Sequence, residues 1–162
     1  MTTYLKEDFV FDADLVLEDS LDSAGAVSAI IASQAGTVLD VAKVVDLGDG
    51  VVEGYMIVDI DEILCSAADV LYEIWLQGSN VAAFATAGLI RNLAGLELGA
   101  GELLTNATAT TGDQGAAGDR YVVPFRNVIN GTVYRYVRVY QEIANGTGET
   151  ITDTIWLSIK RK

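Results

Sequence analysis

The sequence predicts an all-β protein, a single-domain β-sandwich or jelly roll over residues 1–162 with a few long loops. Three observations lead there. About seven to nine short segments alternate in polarity with a period of two, and no 3.6-residue pattern is sustained. β-branched and aromatic residues dominate those segments, as a half-buried pleat requires. Gly, Asn and Asp clusters punctuate them at sandwich-like spacing. A chain of 162 residues buries about 70% of its unfolded surface, so a core needs no staple.

Phe9–Leu17 alternates with Phe9, Phe11, Leu15 and Leu17 in phase and Asp12 and Asp14 opposite, which predicts a strand with one wet face. Asp19–Gly25 is a turn-rich break. Ala26–Ser33 and Thr37–Val45 are weaker strands, separated by Gly36 and closed by the turn Asp46–Gly50. In Val51–Ile60, Val52, Met56, Val58 and Ile60 share a face, and Asp61–Asp69 forms an irregular link or single helical turn. Val70–Gln77 sets Val70, Tyr72, Ile74 and Leu76 against Leu71, Glu73, Trp75 and Gln77. After a turn at Gly78-Ser79-Asn80, Val81–Ala87 is a loop or helical turn and Leu89–Leu93 a short strand.

Glu102–Gly118, rich in Gly, Ala and Thr, reads as an exposed loop. Arg120–Arg126 resumes strand character. Pro124 cannot donate to a ladder, so this strand belongs at an edge or a bulge. Asn130-Gly131 tolerates positive φ and predicts a tight hairpin. It leads into Thr132–Ile143, the strand around which the chain is organised. Val133, Arg135, Val137 and Val139 share one face there, and Tyr134, Tyr136, Arg138 and Tyr140 the other. Neither face is plainly wet, so a second sheet or a partner should cover each. Ile151–Ile159 closes the fold with Ile151, Ile155, Leu157 and Ile159 inward and Thr152, Thr154, Trp156 and Ser158 outward.

The formal charge is −13, unevenly spread: residues 1–79 hold 16 acids and two bases, residues 80–162 seven acids and eight bases. Such an acidic half repels phosphates, which argues against nucleic acid. An acidic solvated surface accounts for most of this charge; the sharper reading is a molecule with one acidic side and one near-neutral docking side. MTTYLKEDFVF lacks the basic and apolar regions of a signal peptide, and the longest nonpolar run, Val81–Ile90, is half a membrane span. The expectation is a soluble protein with no membrane partner. Cys65, the single cysteine, forms no internal disulfide, suits a reducing cytoplasm and reads as a small buried hydrophobe.

The sequence contains no histidine, which removes the commonest general base and nearly every catalytic zinc site. Neither a Ser-x-x-Lys pattern nor a dinucleotide or phosphate loop occurs. Acid pairs remain: Asp12/Asp14, Asp46/Asp49, and Asp59/Asp61 with Glu62. They could in principle serve a glycosidase, and the last could hold calcium, but alternate acids ordinarily form the wet side of a strand. The expectation is no enzyme, no cofactor and no metal. Asn106, Asn130 and Asn145 begin Asn-x-Thr sequences, the latter two as Asn-Gly turns. What is left is surface. Trp75, Arg135, Arg138, Trp156, Lys160 and Arg161 are the partner-contact candidates, since Trp and Arg concentrate at the energetic centre of interfaces; the competing reading packs each tryptophan on a cross-strand neighbour or under a loop.

Several blocks together resemble one family. Leu71-Tyr72-Glu73-Ile74-Trp75-Leu76-Gln77-Gly78-Ser79 is similar to its strand and turn ending in Leu-Gln-x-Ser. Tyr134–Tyr140 resembles its Arg-Tyr-x-Arg strand, and Gly146–Leu157 its closing turn and strand. Phe11-Asp12-Ala13-Asp14 and Asp46-Leu47-Gly48 match two shorter signatures. These residues resemble the jelly-roll capsid cement (decoration) proteins of tailed double-stranded-DNA bacteriophages. The chain departs from them in a longer Phe11–Asp46 segment and a more acidic first half. The resemblance implies a non-enzymatic protein, made in the host cytoplasm, on the outer surface of the virion capsid. It implies the major capsid protein as partner, and self-association with a dimer favoured over a trimer. Two other readings stay open: a carbohydrate-binding jelly roll using exposed tryptophans, and a minor carboxylate hydrolase.

Overall fold

The computed structural model describes residues 12–65, 70–99, 118–144 and 148–159. The chain enters through a 3-10 turn, Ala13–Leu15, because Asp12 Oδ1 accepts the Asp14 N–H at 3.0 Å. β1 (Val16–Glu18) follows, so the strand expected over Phe9–Leu17 starts later; Leu15 and Leu17 still face the core. Phe9 and Phe11 lie outside the described residues.

Ala26–Ser33 is not a strand. It makes only single bridges, Leu21 to Val27 and Ile30 to Ile151, because Ile30 alone reaches the core while Val27 and Ile31 are exposed. After β2 (Gln34–Ala35), the segment expected as one strand over Thr37–Val45 breaks into β3 (Thr37–Val38), β4 (Val41–Ala42) and β5 (Val45–Asp46). Leu39 and Asp40 turn the β3–β4 hairpin at φ 51° and 62°. Asp19 steadies that turn by accepting the Leu39 N–H at 3.2 Å.

β6 (Glu53–Ile63) extends further than expected, so the link placed at Asp61–Asp69 begins only after Ile63. The register with β13 (Ile151–Ile159) slips at Thr152/Asp153, leaving Asp61 as the extra residue. That bulge changes the strand's phase, and Ile63 joins Met56, Val58 and Ile60 on the core face. β7 (Leu71–Ser79) alternates as the sequence predicts, and β8 (Arg91–Leu98) pairs with it after a 3-10 turn at Ala87–Leu89. The loop expected over Glu102–Gly118 falls almost wholly outside the described residues.

β9 (Arg120–Arg126) is an edge strand, which accommodates Pro124. β10 (Val128–Ile129) and β11 (Thr132–Val133) form the expected hairpin, with Asn130 and Gly131 at φ 49° and 80°. Thr132–Ile143 is interrupted rather than continuous: the ladder lapses at Tyr134 and Arg135, and β12 (Tyr136–Ala144) takes over.

Two antiparallel sheets result. One runs β1-β13-β6-β9; the other runs β2-β12-β7-β8, with β5 also pairing β12. The core between them takes Met56, Val58, Ile60, Tyr72, Ile74, Leu76, Val137, Val139, Ile155 and Leu157 from both sheets, and Cys65 is buried in it. This is an all-β sandwich. A smaller cluster on the far side of the four-stranded sheet joins Val16, Ile57 and Trp156, with Val38 of the β3–β4 hairpin and Tyr55 against it.

Two buried polar side chains tie the ends. Asn127 donates to the carbonyls of Gly50 and Tyr134, both at 3.0 Å, and accepts the Val52 N–H at 2.7 Å. The Tyr72 hydroxyl meets the carbonyls of Leu64 and Thr150. Burial raises the Tyr72 pKa far above its ordinary value, so it stays a hydrogen-bond donor. No helix among the described residues is long and apolar enough to cross a membrane.

Candidate functional site

The outer face of the five-stranded sheet carries the surface that fits the sequence expectation. Alternation along β7 and β12 sends Trp75, Gln77, Arg138 and Tyr140 outward, each half-buried. Register then sets them in rows: Arg138 opposite Gln77, and Tyr140 opposite Trp75, which faces Gly95 of β8. The Trp75 ring lies over Gly95, where any Cβ would collide with it.

Among the described residues no carboxylate pairs with Arg138. Its Nε and Nη2 donate to Gln77 Oε1 at 3.1 and 3.0 Å, and its guanidinium stands 4.5 Å from the Phe84 ring centroid and 5.5 Å from that of Tyr140. Partial burial lowers its pKa, with the nearby Tyr140 acting in the opposite sense; the group stays charged. Phe84 reaches this position on a loop with φ +48°, a backbone conformation costly for an aromatic residue. Its side chain is buried all the same.

One row along, Glu142, Glu73 and Glu97 lie directly opposite one another on three adjacent strands. Partial burial, then Glu142, then Glu97 push the Glu73 carboxyl above its ordinary value. Like charges so placed destabilise a sheet unless something offsets them.

The remaining sequence candidates fall elsewhere. Arg135 sits beside β12 in a fork with Asp46, with Nε–Oδ1 and Nη2–Oδ2 both 2.8 Å, and reaches Asp49 at 3.2 Å. That pairing depresses the Asp46 pKa and raises that of Arg135. Arg135 is thus already committed to its own chain. Trp156 is corrected as a contact candidate: of its two readings, outward anchor or ring packed under a loop, the structure has the second, with the side chain only 4% exposed, packed on Val16 and Ile57 and beneath Val38. Arg120 covers its ring at 5.2 Å, fixed there by Asp59 at 2.5 and 2.6 Å. Lys160 and Arg161 lie outside the described residues. Trp75 and Arg138 are therefore the two candidates that the fold brings together.

At least one member of each acid pair weighed for catalysis or calcium has a structural role. Asp12 closes a turn, Asp46 and Asp49 hold Arg135, and Asp59 holds Arg120. Among the described residues no three acidic or cysteine side chains converge on a metal position. A cavity of about 1260 Å³ opens at one end of the sandwich, lined both by aliphatic residues such as Leu47, Val52 and Leu93 and by the charged Asp46, Glu53 and Arg126.

No family model matches the chain, and no curated protein matches it at a significant level. The site has to be read from its own geometry. Sequence inspection missed Gln77, Gly95 and the glutamate row, whose roles depend on register, and Phe84, which arrives on a loop.

Proposed function

We propose that this protein is a capsid cement protein: it binds the outside of an assembled bacteriophage head and bridges neighbouring capsomers. The reading rests on the resemblance of its strands to the decoration family. The observation that carries it is the Trp75–Arg138–Tyr140 band, an arginine caged by rings next to a flat tryptophan on an open sheet face. Residues of these types supply most of the energy at protein contacts. The role is passive. Each copy buries an interface of standard size, about 1,600 Å² in total, and many copies bound only to the finished shell stabilise that state by mass action.

Purified heads stripped of the protein and titrated with it test this proposal. Trp75→Ala combined with Arg138→Glu should cut occupancy at least tenfold while the fold remains intact. Undiminished occupancy, or binding to a glycan array in place of heads, overturns the assignment.

A further inference from the structure

Inside the sandwich lies a polar contact that the outer face does not use. Asp153 of β13 and Gln141 of β12 are both buried, 0% and 2% exposed, and meet across the gap between the two sheets. Gln141 Nε2 donates to Asp153 Oδ2 at 2.7 Å. The other atom of each group, Asp153 Oδ1 and Gln141 Oε1, has no hydrogen-bond partner. Both of these atoms are acceptors. Turning the amide over does not help, because it sets oxygen against oxygen and loses the existing bond. Each orphaned acceptor in such a place is costly, and a bare buried carboxylate is more so. One proton would satisfy both.

We propose that Asp153 is carried as the neutral acid, its Oδ1–H donating to Gln141 Oε1, so that acid and amide close a ring of two hydrogen bonds joining the sheets. Loss of that proton to solvent opens the ring and makes the fold sensitive to rising pH.

The surroundings favour the neutral form. Burial is the largest cause that pushes the Asp153 carboxyl well above the carboxylate range, followed by Glu18 of β1; Asp61 at the β6 bulge adds to it, while the Gln141 bond opposes. Ser20 accepts the Asp153 backbone N–H at 2.9 Å and brings no charge. No lysine or arginine among the described residues pairs with Asp153. Glu18 is the partner built for the charge. Its carboxylate accepts N–H groups of Ser20 at 2.8 Å, Thr37 at 2.8 Å and Asp19 at 3.2 Å. Burial raises the Glu18 pKa against those donors. With Asp153 neutral, the two acids share a single negative charge.

The direction of the linkage follows. The folded pKa of Asp153 lies above its unfolded value, so its contribution is complete below about pH 4 and is lost as pH rises through the folded value. Within that window the folding constant falls about tenfold per pH unit.

Carbon NMR of the full chain, labelled at aspartate Cγ, tests the proposal directly. One aspartate carboxyl should keep the shift of a protonated acid at about pH 7, where ordinary aspartates are ionised, and that resonance should vanish in Asp153→Asn. Because an amide N–H replaces the acid O–H, Asp153→Asn should also hold its urea midpoint as pH rises while the natural chain declines. If every aspartate of the folded chain ionises below about pH 5, or if both chains show the same pH slope, the proposal fails. Should Asp153→Asn not fold, the carboxyl titration of the natural chain decides alone.

Discussion

Trp75 lies across Gly95, its register partner on the neighbouring strand, and the glycine is there because nothing larger fits beneath the indole. The pair is a floor and a tile: removing the side chain at 95 lets the ring lie flat on an otherwise open sheet face.

Gly95→Val should lift Trp75 from the sheet. We expect a red shift of part of the tryptophan emission and a loss of about 1–3 kcal/mol in urea unfolding, the range for overpacking. Unchanged emission would show that the ring does not depend on Gly95.

Asn127→Ala deletes a buried side chain that ties the Gly50–Val52 segment and Tyr134 together through three hydrogen bonds. The orphaned groups of Val52, Gly50 and Tyr134 make a loss of about 2–4 kcal/mol the expected outcome, read from the urea midpoint. A loss under about 0.5 kcal/mol, typical of an uninvolved surface position, would contradict the clamp.

Glu73→Gln relieves the central member of the glutamate row. Its carboxyl has a raised folded pKa, so its contribution is present below the ordinary value of 4.5 and is lost as pH rises. The variant should therefore be more stable than the natural chain at neutral pH by about 0.2–1 kcal/mol, with the gain vanishing in acid. Equal stability of the two chains at pH 7 would show the row to be fully solvated.

Asp46 behaves in the opposite sense. Arg135 depresses its pKa, so this contribution is present above the ordinary value of 3.8 and is lost as pH falls through the folded one. Thermal scans of Arg135→Ala and the natural chain should differ at neutral pH and converge in strong acid. The same scans at high salt should narrow the gap, because the pair is exposed.

Much of the sandwich could be read from single segments. Arg120–Arg126 and Ile151–Ile159 have the bounds that their alternation predicts, and Pro124 signals its own place at an edge. The Asn130-Gly131 turn depends only on two backbone preferences. Other segments lacked a complete local cue. Thr37–Val45 alternates well enough to read as a strand, yet Leu39 and Asp40 fold it back on itself, with Asp19 bonded to the turn. Ala26–Ser33 is apolar enough to pair, but among the described residues no strand lies alongside to receive it beyond single bridges.

The candidate site divides in the same way. Trp75 and Arg138 could be picked out by residue type and strand phase, whereas their neighbours Gln77, Phe84 and Gly95 come from partner strands and a loop. Trp156 falls on the outward phase, as its sequence position says, but the β3–β4 hairpin covers that face and buries it. The sequence by itself determined which side of each unbulged stretch of strand a residue takes, because a pleat repeats every two residues and alternation is a local property. Only the tertiary structure decided which of those sides meets water, and which acids, amides and rings face one another. Register and covering layers join residues far apart in the chain, and no short window contains both partners.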